Sequence, residues 1–287
     1  MYKVSIDLYL NHRQREVYQI DSVITSAEGN SYEIQERIDS GGNAVVHRCL
    51  DAGTGDEYAV KFNLTFSARR IRRFLQEIEL LKAIDHDQII KYIDHGTTQG
   101  RYDRRGARQR EIHYFIMPIA ETNLLEYRKT HQITYADYIG QFKGICSALT
   151  TLHEKAIHRD LKPENILIIG ETWYLSDLGL CKYNVCDVEI SLEDEIIGPR
   201  FWMSPESINR VVGNSDEISV RSDVYQLASI FWFVVTGRNP QGVITEGDWT
   251  GPEALFAPLF KSLHHDPRVR YNDASELNEA IDETTAG

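Results

Sequence analysis

The chain has 287 residues, 42% hydrophobic and 26% charged, with a formal net charge of −12. That length suffices for one large domain or two lobes with a sizeable core, and the composition excludes an intrinsically disordered chain. The acidic balance argues against non-specific binding to nucleic acid or to an anionic membrane surface.

Val4, Ile6, Leu8 and Leu10 alternate with polar neighbours, the period-2 signature of a half-buried strand. From Tyr32 the pattern predicts an antiparallel meander: Ile34 to Ile38, a turn at Ser40-Gly41-Gly42, Val45-Val46, a turn at Gly53-Thr54-Gly55, then Tyr58-Ala59-Val60. Ser67 is a candidate N-cap for a helix in which Ile71, Phe74, Leu75, Ile78 and Leu81 recur every three or four residues and form one apolar face. Two further strands are expected near Ile89 to Asp94 and His113 to Met117. The loop between them carries Arg101, Arg104, Arg105, Arg108 and Arg110 and reads either as a solvated loop or as a docking patch for an acidic partner. After Pro118 to Asn123 the pattern turns helical, with Leu124, Leu125 and the long periodic stretch Tyr138 to His153, and helical patterns dominate from there on. Strands first and helices later predict an α+β fold in two lobes.

Cysteines 49, 146, 181 and 186 are too scattered for a disulfide framework, which suits a reducing cytoplasm, and no second Cys or His pair stands near Cys181 and Cys186 at zinc-site spacing. The longest apolar stretch, around Ile230 to Val235, falls far short of the ~20 residues a spanning helix needs. No signal peptide is recognisable in the first segment.

The residues that carry chemistry come in two strings. His158-Arg159-Asp160-Leu161-Lys162-Pro163-Glu164-Asn165 precedes the apolar Ile166-Leu167-Ile168, and Asp177-Leu178-Gly179 begins twelve residues after Asn165. The first matches the catalytic loop of protein kinases and the second resembles their Asp-Phe-Gly. From about Tyr32 to Ile281 the chain resembles the eukaryotic-like (Hanks-type) serine/threonine protein kinase family, and its hinge and brevity resemble bacterial members. The resemblance implies a bilobal protein kinase fold, with a small antiparallel β-sheet N-lobe holding one key helix and a larger, mainly helical C-lobe. The implied boundaries are an N-terminal strand extension at 1–31 and a kinase domain at 32–285, divided into an N-lobe at 32–117, a hinge at 118–123 and a C-lobe at 124–285.

ATP and Mg2+ are the cofactors this family uses, and phosphoryl transfer needs positioning and charge neutralisation more than covalent help. By resemblance, Asp160 accepts or orients the proton of the attacking hydroxyl and Lys162 stabilises the transferred phosphoryl group, in the manner of the serine/threonine branch. Asp177 and Asn165 are hard oxygen ligands for magnesium. Lys61, in Tyr58-Ala59-Val60-Lys61, resembles the lysine that holds the nucleotide phosphates, and Glu77 on the following helix is its expected partner, since a carboxylate among Phe74 and Leu81 needs a cation. Val46, Ala59 and Leu167 fall where apolar groups enclose adenine. Met117 resembles the gatekeeper, and Pro118 and Ala120 belong to the hinge, which offers backbone groups to the base. Gly41 and Gly42 stand in the glycine loop. Glu206, in Met203-Ser204-Pro205-Glu206, and Arg270 resemble a buried ion pair of the C-lobe, and Asp223-Val224-Tyr225 resembles the start of its central helix.

Several positions depart from the family pattern. Asp39-Ser40-Gly41-Gly42-Asn43-Ala44 lacks the first and third glycines, and Asp39 brings a carboxylate toward phosphate charge unless it points outward. Pro199 replaces a threonine. Ser191 and Tyr183 are the phosphorylatable residues of the activation segment, and Glu189, Glu193, Asp194 or Glu195 is a candidate partner for Arg159 or for Arg69, Arg70, Arg72 and Arg73. The stretch from Gly237 to Glu253 is shorter than usual. Three functions follow: an active serine/threonine kinase of protein substrates, itself included; a pseudokinase acting as a binding module; and a small-molecule kinase of the same fold. Self-association or partner binding is expected through the N-terminal extension or the Arg-rich loop 101–110.

Overall fold

The computed structural model describes residues 5–9, 17–40, 44–102, 108–184 and 201–285. The chain divides into two units, one formed by Met1–Asp85 and Ile90–Ala120, the other by His86–Ile89 and Glu121–Gly287.

In the first unit eight strands form one antiparallel sheet. They are β1 (Ser5–Leu8), β2 (Tyr18–Asp21), β3 (Val23–Thr25), β4 (Ser31–Ser40), β5 (Ala44–Asp51), β6 (Glu57–Asn63), β7 (Asp94–Arg101) and β8 (Gln109–Pro118), and helix α1 (Ala68–Ala83) follows β6. The spatial order is β1-β2-β7-β8-β6-β5-β4-β3. Strand β2 pairs with β7 and β3 pairs with β4, yet only Ser22 separates β2 from β3. One short segment therefore spans both edges, and the sheet has to curl until they approach. The Ala27 N–H donates to the His95 carbonyl at 2.8 Å across that gap. A curl of this kind brings the two margins near each other, although β1 and β3 remain the terminal strands of the sheet. The segment before Tyr32 thus lies within the sheet itself, at its two margins.

Leu8, Tyr18, Ile20 and Ile24 from these added strands join Val60, Phe62 and Tyr114 in a single buried core. Because side chains alternate along a strand, Ala59 and Lys61 turn to the opposite face of β6 from Val60 and Phe62. At the closure Asp94, 1% exposed, accepts hydrogen bonds from Asn30 Nδ2 at 2.9 Å, Tyr32 Oη at 3.2 Å and the His95 N–H at 2.8 Å. Burial pushes its carboxyl up, but hydrogen bonds from Ser26, Asn30 and its other donors outweigh that and hold it below the usual aspartate range.

Three sequence expectations need correcting here. Ile89 to Ile93 is not strand: Ile89 makes a single parallel bridge to Leu175, whose N–H donates to the Gln88 carbonyl at 2.8 Å. The strand instead runs through the polar Asp94–Arg101, where pairing with β8 overrides propensity. Gly96 and Gly100 permit that pairing, since a Cβ at either would collide with Tyr114 Oη or Ile112 Cδ1. Arg101 and Arg110 accordingly lie in β7 and β8, so the connecting loop is shorter than the arginine pattern suggested. On α1 the Ser67 hydroxyl accepts from the Arg70 N–H, and Phe74, Glu77, Ile78, Leu80 and Leu81 are buried. Leu75 stands off that stripe and is 38% exposed.

The second unit contains β9 (Thr122–Asn123), α2 (Leu124–Thr130), α3 (Tyr135–His153), β10 (Ala156–Ile157), β11 (Ile166–Ile169), β12 (Thr172–Leu175), β13 (Lys182–Tyr183), α4 (Pro205–Val211), α5 (Val220–Thr236), α6 (Phe256–Ser262) and α7 (Ala274–Thr285). Strands β12, β11 and β9 make one small sheet, and β10 and β13 another. Helix α5 is buried along most of its length, the mark of a core helix. Phe231 on it meets Phe142 of α3 with ring centroids 3.9 Å apart. Gly237, at φ +74°, ends α5 in the left-handed region. Among the described residues no helix is long and apolar enough to cross a membrane.

Candidate active site

The first unit contains a cation and its partner. Lys61 Nζ donates to Glu77 Oε1 at 2.7 Å and Oε2 at 3.0 Å, joining β6 to α1. The Glu77 side chain is 3% exposed and that of Lys61 14%. Phe74, one turn before Glu77, packs on Phe115 of β8 with ring centroids 5.5 Å apart. Strand register places Val46 opposite Lys61, Ala59 opposite Met117 and Tyr58 opposite Pro118. Ala59 is buried, while Val46, Met117, Pro118 and Ala120 are half-buried. Gly41 and Gly42 lie outside the described residues. Asp39 is exposed, and its Oδ1 accepts from the Ser40 N–H at 2.6 Å, so its carboxylate is tied to its own turn.

The second unit contains a denser polar group. Lys162 Nζ donates to Asp160 Oδ2 at 2.8 Å, and Asn165 Nδ2 donates to Asp160 Oδ2 at 3.0 Å and to the Asp160 carbonyl at 2.8 Å. Both partners of that amide are acceptors, so its nitrogen must face them and its oxygen faces elsewhere. Burial raises the Asp160 carboxyl above the usual aspartate range, and the Asp177 charge adds to this; the Lys162 ammonium opposes it without cancelling it. Burial would lower Lys162, but the adjacent Asp160 charge prevails and raises it. Leu167 lies on β11, half-buried, and pairs with Tyr174 and Asn123.

The loop is held from beneath by residues whose individual roles sequence reasoning missed. Asp223, fully buried on α5, accepts from the His158 N–H at 2.7 Å, the Arg159 N–H at 2.9 Å and His153 Nε2 at 3.0 Å. Gln226, one turn on, accepts from the Leu161 N–H at 3.3 Å and donates to the Arg159 carbonyl at 3.5 Å. Ser176 donates to the Asn165 carbonyl through both its N–H and its hydroxyl, each at 2.9 Å. The available signal was a run of polar residues, Ser222, Asp223, Gln226 and Ser229, inside an otherwise apolar helix; buried polar groups require partners.

Among the described residues only Arg159, at φ +67°, and Asp177, at φ +58°, are non-glycine residues in the left-handed region. Each such residue costs about 1–3 kcal/mol and persists only where its surroundings enforce it. Arg159 is buried, and its Nε donates to the Leu180 carbonyl at 2.9 Å. The acidic side chains proposed as its partners, together with Ser191, Cys186 and Pro199, lie outside the described residues.

Glu206 and Arg270, placed as a pair from sequence, do meet: Nη1 to Oε1 at 2.8 Å and Nη2 to Oε2 at 2.9 Å. Burial pushes the Glu206 carboxyl up, but the hydrogen bonds and charge of Arg270 hold it below the usual glutamate range.

A family model described as protein kinase domain matches residues 32–255. The chain is 29% identical over 229 residues to the dual specificity protein kinase Ttk of Danio rerio, across 76% of this chain and 22% of that protein. It is similar to two proteins named "probable serine/threonine-protein kinase". One, from Clostridium acetobutylicum, is 23% identical across 90% of this chain and 40% of its own length. The other, from Dictyostelium discoideum, is 28% identical across 77% of this chain and 30% of its own length. The chain thus spans well under half the length of these relatives.

Proposed function

Since the chain belongs to the protein kinase family, we propose that it transfers the γ-phosphoryl group of ATP to serine and threonine hydroxyls of protein substrates, itself included. The observation that carries this reading is the coincidence of strain with chemistry. Arg159 and Asp177 are strained, and between them in sequence Asp160, Lys162 and Asn165 form one hydrogen-bonded group. Stored strain of this kind is characteristic of sites that must be shaped before substrate arrives.

In the proposed reaction the hydroxyl oxygen bonds to the γ-phosphorus as the bond to the bridging oxygen breaks, and ADP leaves. The hydroxyl proton passes to Asp160, whose raised proton affinity suits it to receive one. Lys162 places its ammonium beside that carboxylate and offsets the charge gathering on the phosphoryl oxygens. Lys61, oriented by Glu77, holds the nucleotide phosphates. Val46, Ala59, Met117 and Leu167 contact the base, and the backbone of Pro118 and Ala120 bonds its edge.

Asp177 and the Asn165 amide oxygen are the chain's candidate holders of Mg2+. Among the described residues no group of three or more His, Cys, Asp or Glu side chains could hold a metal by itself. That fits an ion held by one carboxylate and one amide together with oxygens of the substrate. When bound, such an ion neutralises phosphate charge. We propose that the kinase domain extends over residues 32–285, beyond the 32–255 that the family model matches.

The test is incorporation of γ-labelled phosphate with Mg2+ and a general acceptor protein, mapped to individual residues, for the native chain, Asp160→Asn and Lys61→Met. Label on serine or threonine that both variants lose is the expected result. Nucleotide binding without turnover in the native chain would instead establish a pseudokinase, and label on a small molecule alone would establish the third function.

A further inference from the structure

Strand β2 reaches the entry of the helix that carries Glu77. Tyr18, 2% exposed, packs against Phe66 with ring centroids 5.2 Å apart and against Tyr102 at 5.5 Å. The Arg110 guanidinium lies 5.5 Å from the Phe66 ring centre and 5.9 Å from that of Tyr102. The position of β2 is fixed beneath this group: Gln19 pairs with Arg101, and Arg101 Nη2 meets Asp21 Oδ1 at 3.1 Å. A Cβ on Gly100 would stand 3.2 Å from Tyr18 Cβ, a tight contact, so β7 and Tyr18 pack closely here.

Phe66 immediately precedes Ser67, the N-cap of α1. An apolar residue there sets the angle at which the chain enters a helix. Helix α1 needs such an anchor more than most. Its first turn has no acidic residue, and it opens with Arg69, Arg70, Arg72 and Arg73, cations at the positive end of the helix dipole. Further along, Phe74 rests on Phe115, and Glu77 bonds Lys61. The helix is thus tied near Glu77 through Lys61 and Phe115, and its N-cap follows directly on Phe66.

We propose that Tyr18 is a positioning residue for the Lys61–Glu77 pair, acting through Phe66 on the entry of α1, so that the segment before residue 32 supports the nucleotide-handling half of the site. Its consequence for catalysis rests on the kinase function proposed above, whereas its structural half does not. Removing the Tyr18 ring frees the start of α1 and loosens Glu77, and Lys61 loses its orientation while both side chains remain present.

The experiment compares the full chain with Tyr18→Ala, Tyr18→Phe and Ile24→Ala. Ile24 belongs to the same core and is 2% exposed, so its truncation controls for general loss of packing. Amide hydrogen exchange over residues 68–83, against β5 and β6, reads the helix without requiring activity. Steady-state kinetics then separate KM for ATP from kcat. Tyr18→Ala should speed exchange in α1 selectively and lower kcat/KM for ATP roughly 3- to 30-fold, mostly through KM. Tyr18→Phe should restore both, and Ile24→Ala should shift neither selectively. Unchanged α1 exchange in Tyr18→Ala, or the same pattern in Ile24→Ala, would overturn the proposal. Selective exchange in a native chain with no turnover would uphold the coupling and count against the kinase function alone.

Discussion

Each unit contains a buried ion pair, and the two are built to opposite ends. Glu206 and Glu77 are equally buried, each 3% exposed, but the cation opposite Glu206 is 0% exposed and the one opposite Glu77 is 14% exposed. Arg270 meets Glu206 through Nη1 and Nη2 and also donates to the carbonyls of His264, Arg221 and His265, so all five guanidinium donors have acceptors. Ser222 adds a hydroxyl to Glu206 at 2.6 Å. Lysine offers a compact charge on a flexible stem in place of that rigid fork. Lys162, opposite Asp160, continues the series at 25% exposed. The difference teaches that the accessibility of the cation distinguishes a pair closed within the fold from pairs whose cation can still meet a substrate, the role proposed above for Lys61 and Lys162.

The largest effect should come from breaking the closed pair. Arg270→Met leaves a buried carboxylate and three backbone carbonyls without their donor, and about 3–5 kcal/mol of stability should be lost in denaturant titration. Lys61→Met should lose less, because its ammonium is already partly in solvent, and its main effect should fall on nucleotide binding. If the two losses of stability proved equal, the comparison would fail. The Glu206 carboxyl, held low in the folded chain, contributes stability above the ordinary glutamate range that disappears as pH falls through its depressed native value.

Lys162 sharpens the contrast through activity. Asp160 must be ionised to accept a proton, so the rate falls as pH drops through its pKa, which burial has already raised. Lys162→Met removes the charge that opposes this rise. The acid limb of the rate profile should move to higher pH, and the rate at its optimum should fall roughly 10²-fold. Titration of ATP itself is common to both proteins and drops out of the difference. An unmoved acid limb would show that Asp160 does not set it.

The same division governs what the sequence made legible. Contiguous polar groups were readable: His158 to Asn165 and Asp177 occur as strings, and Glu77, placed by helical spacing against an apolar face, does meet Lys61. Support from distant residues was not. Nothing in the string near Arg159 indicates that Asp223 and Gln226, more than sixty residues away, hold its backbone in a strained conformation. Strand β7 was misplaced because Asp94–Arg101 is polar and contains two glycines, and only its pairing with β8 makes it a strand. The closure of the sheet by residues 18–25 was equally hidden, since alternation identifies a strand but not which edge it joins.

The smallest effect concerns the closed sheet itself. His47 lies on β5, buried among the core residues, and its Nδ1 faces the Gln35 carbonyl at 3.0 Å. Burial lowers its pKa below the ordinary histidine value; the Gln35 carbonyl and Glu36 partly oppose this, and Arg37 adds to it. As pH falls below about 6.5, the unfolded chain therefore takes up a proton that the folded chain still refuses, and stability declines. Above that pH the contribution is complete. His47→Gln should flatten this part of the stability profile between neutral pH and mild acid without touching the loss attributed to Glu206, which sets in at lower pH. A profile of unchanged slope would mean that His47 is protonated as readily inside the sheet as outside it, and the curled first unit would then be open to water at that point.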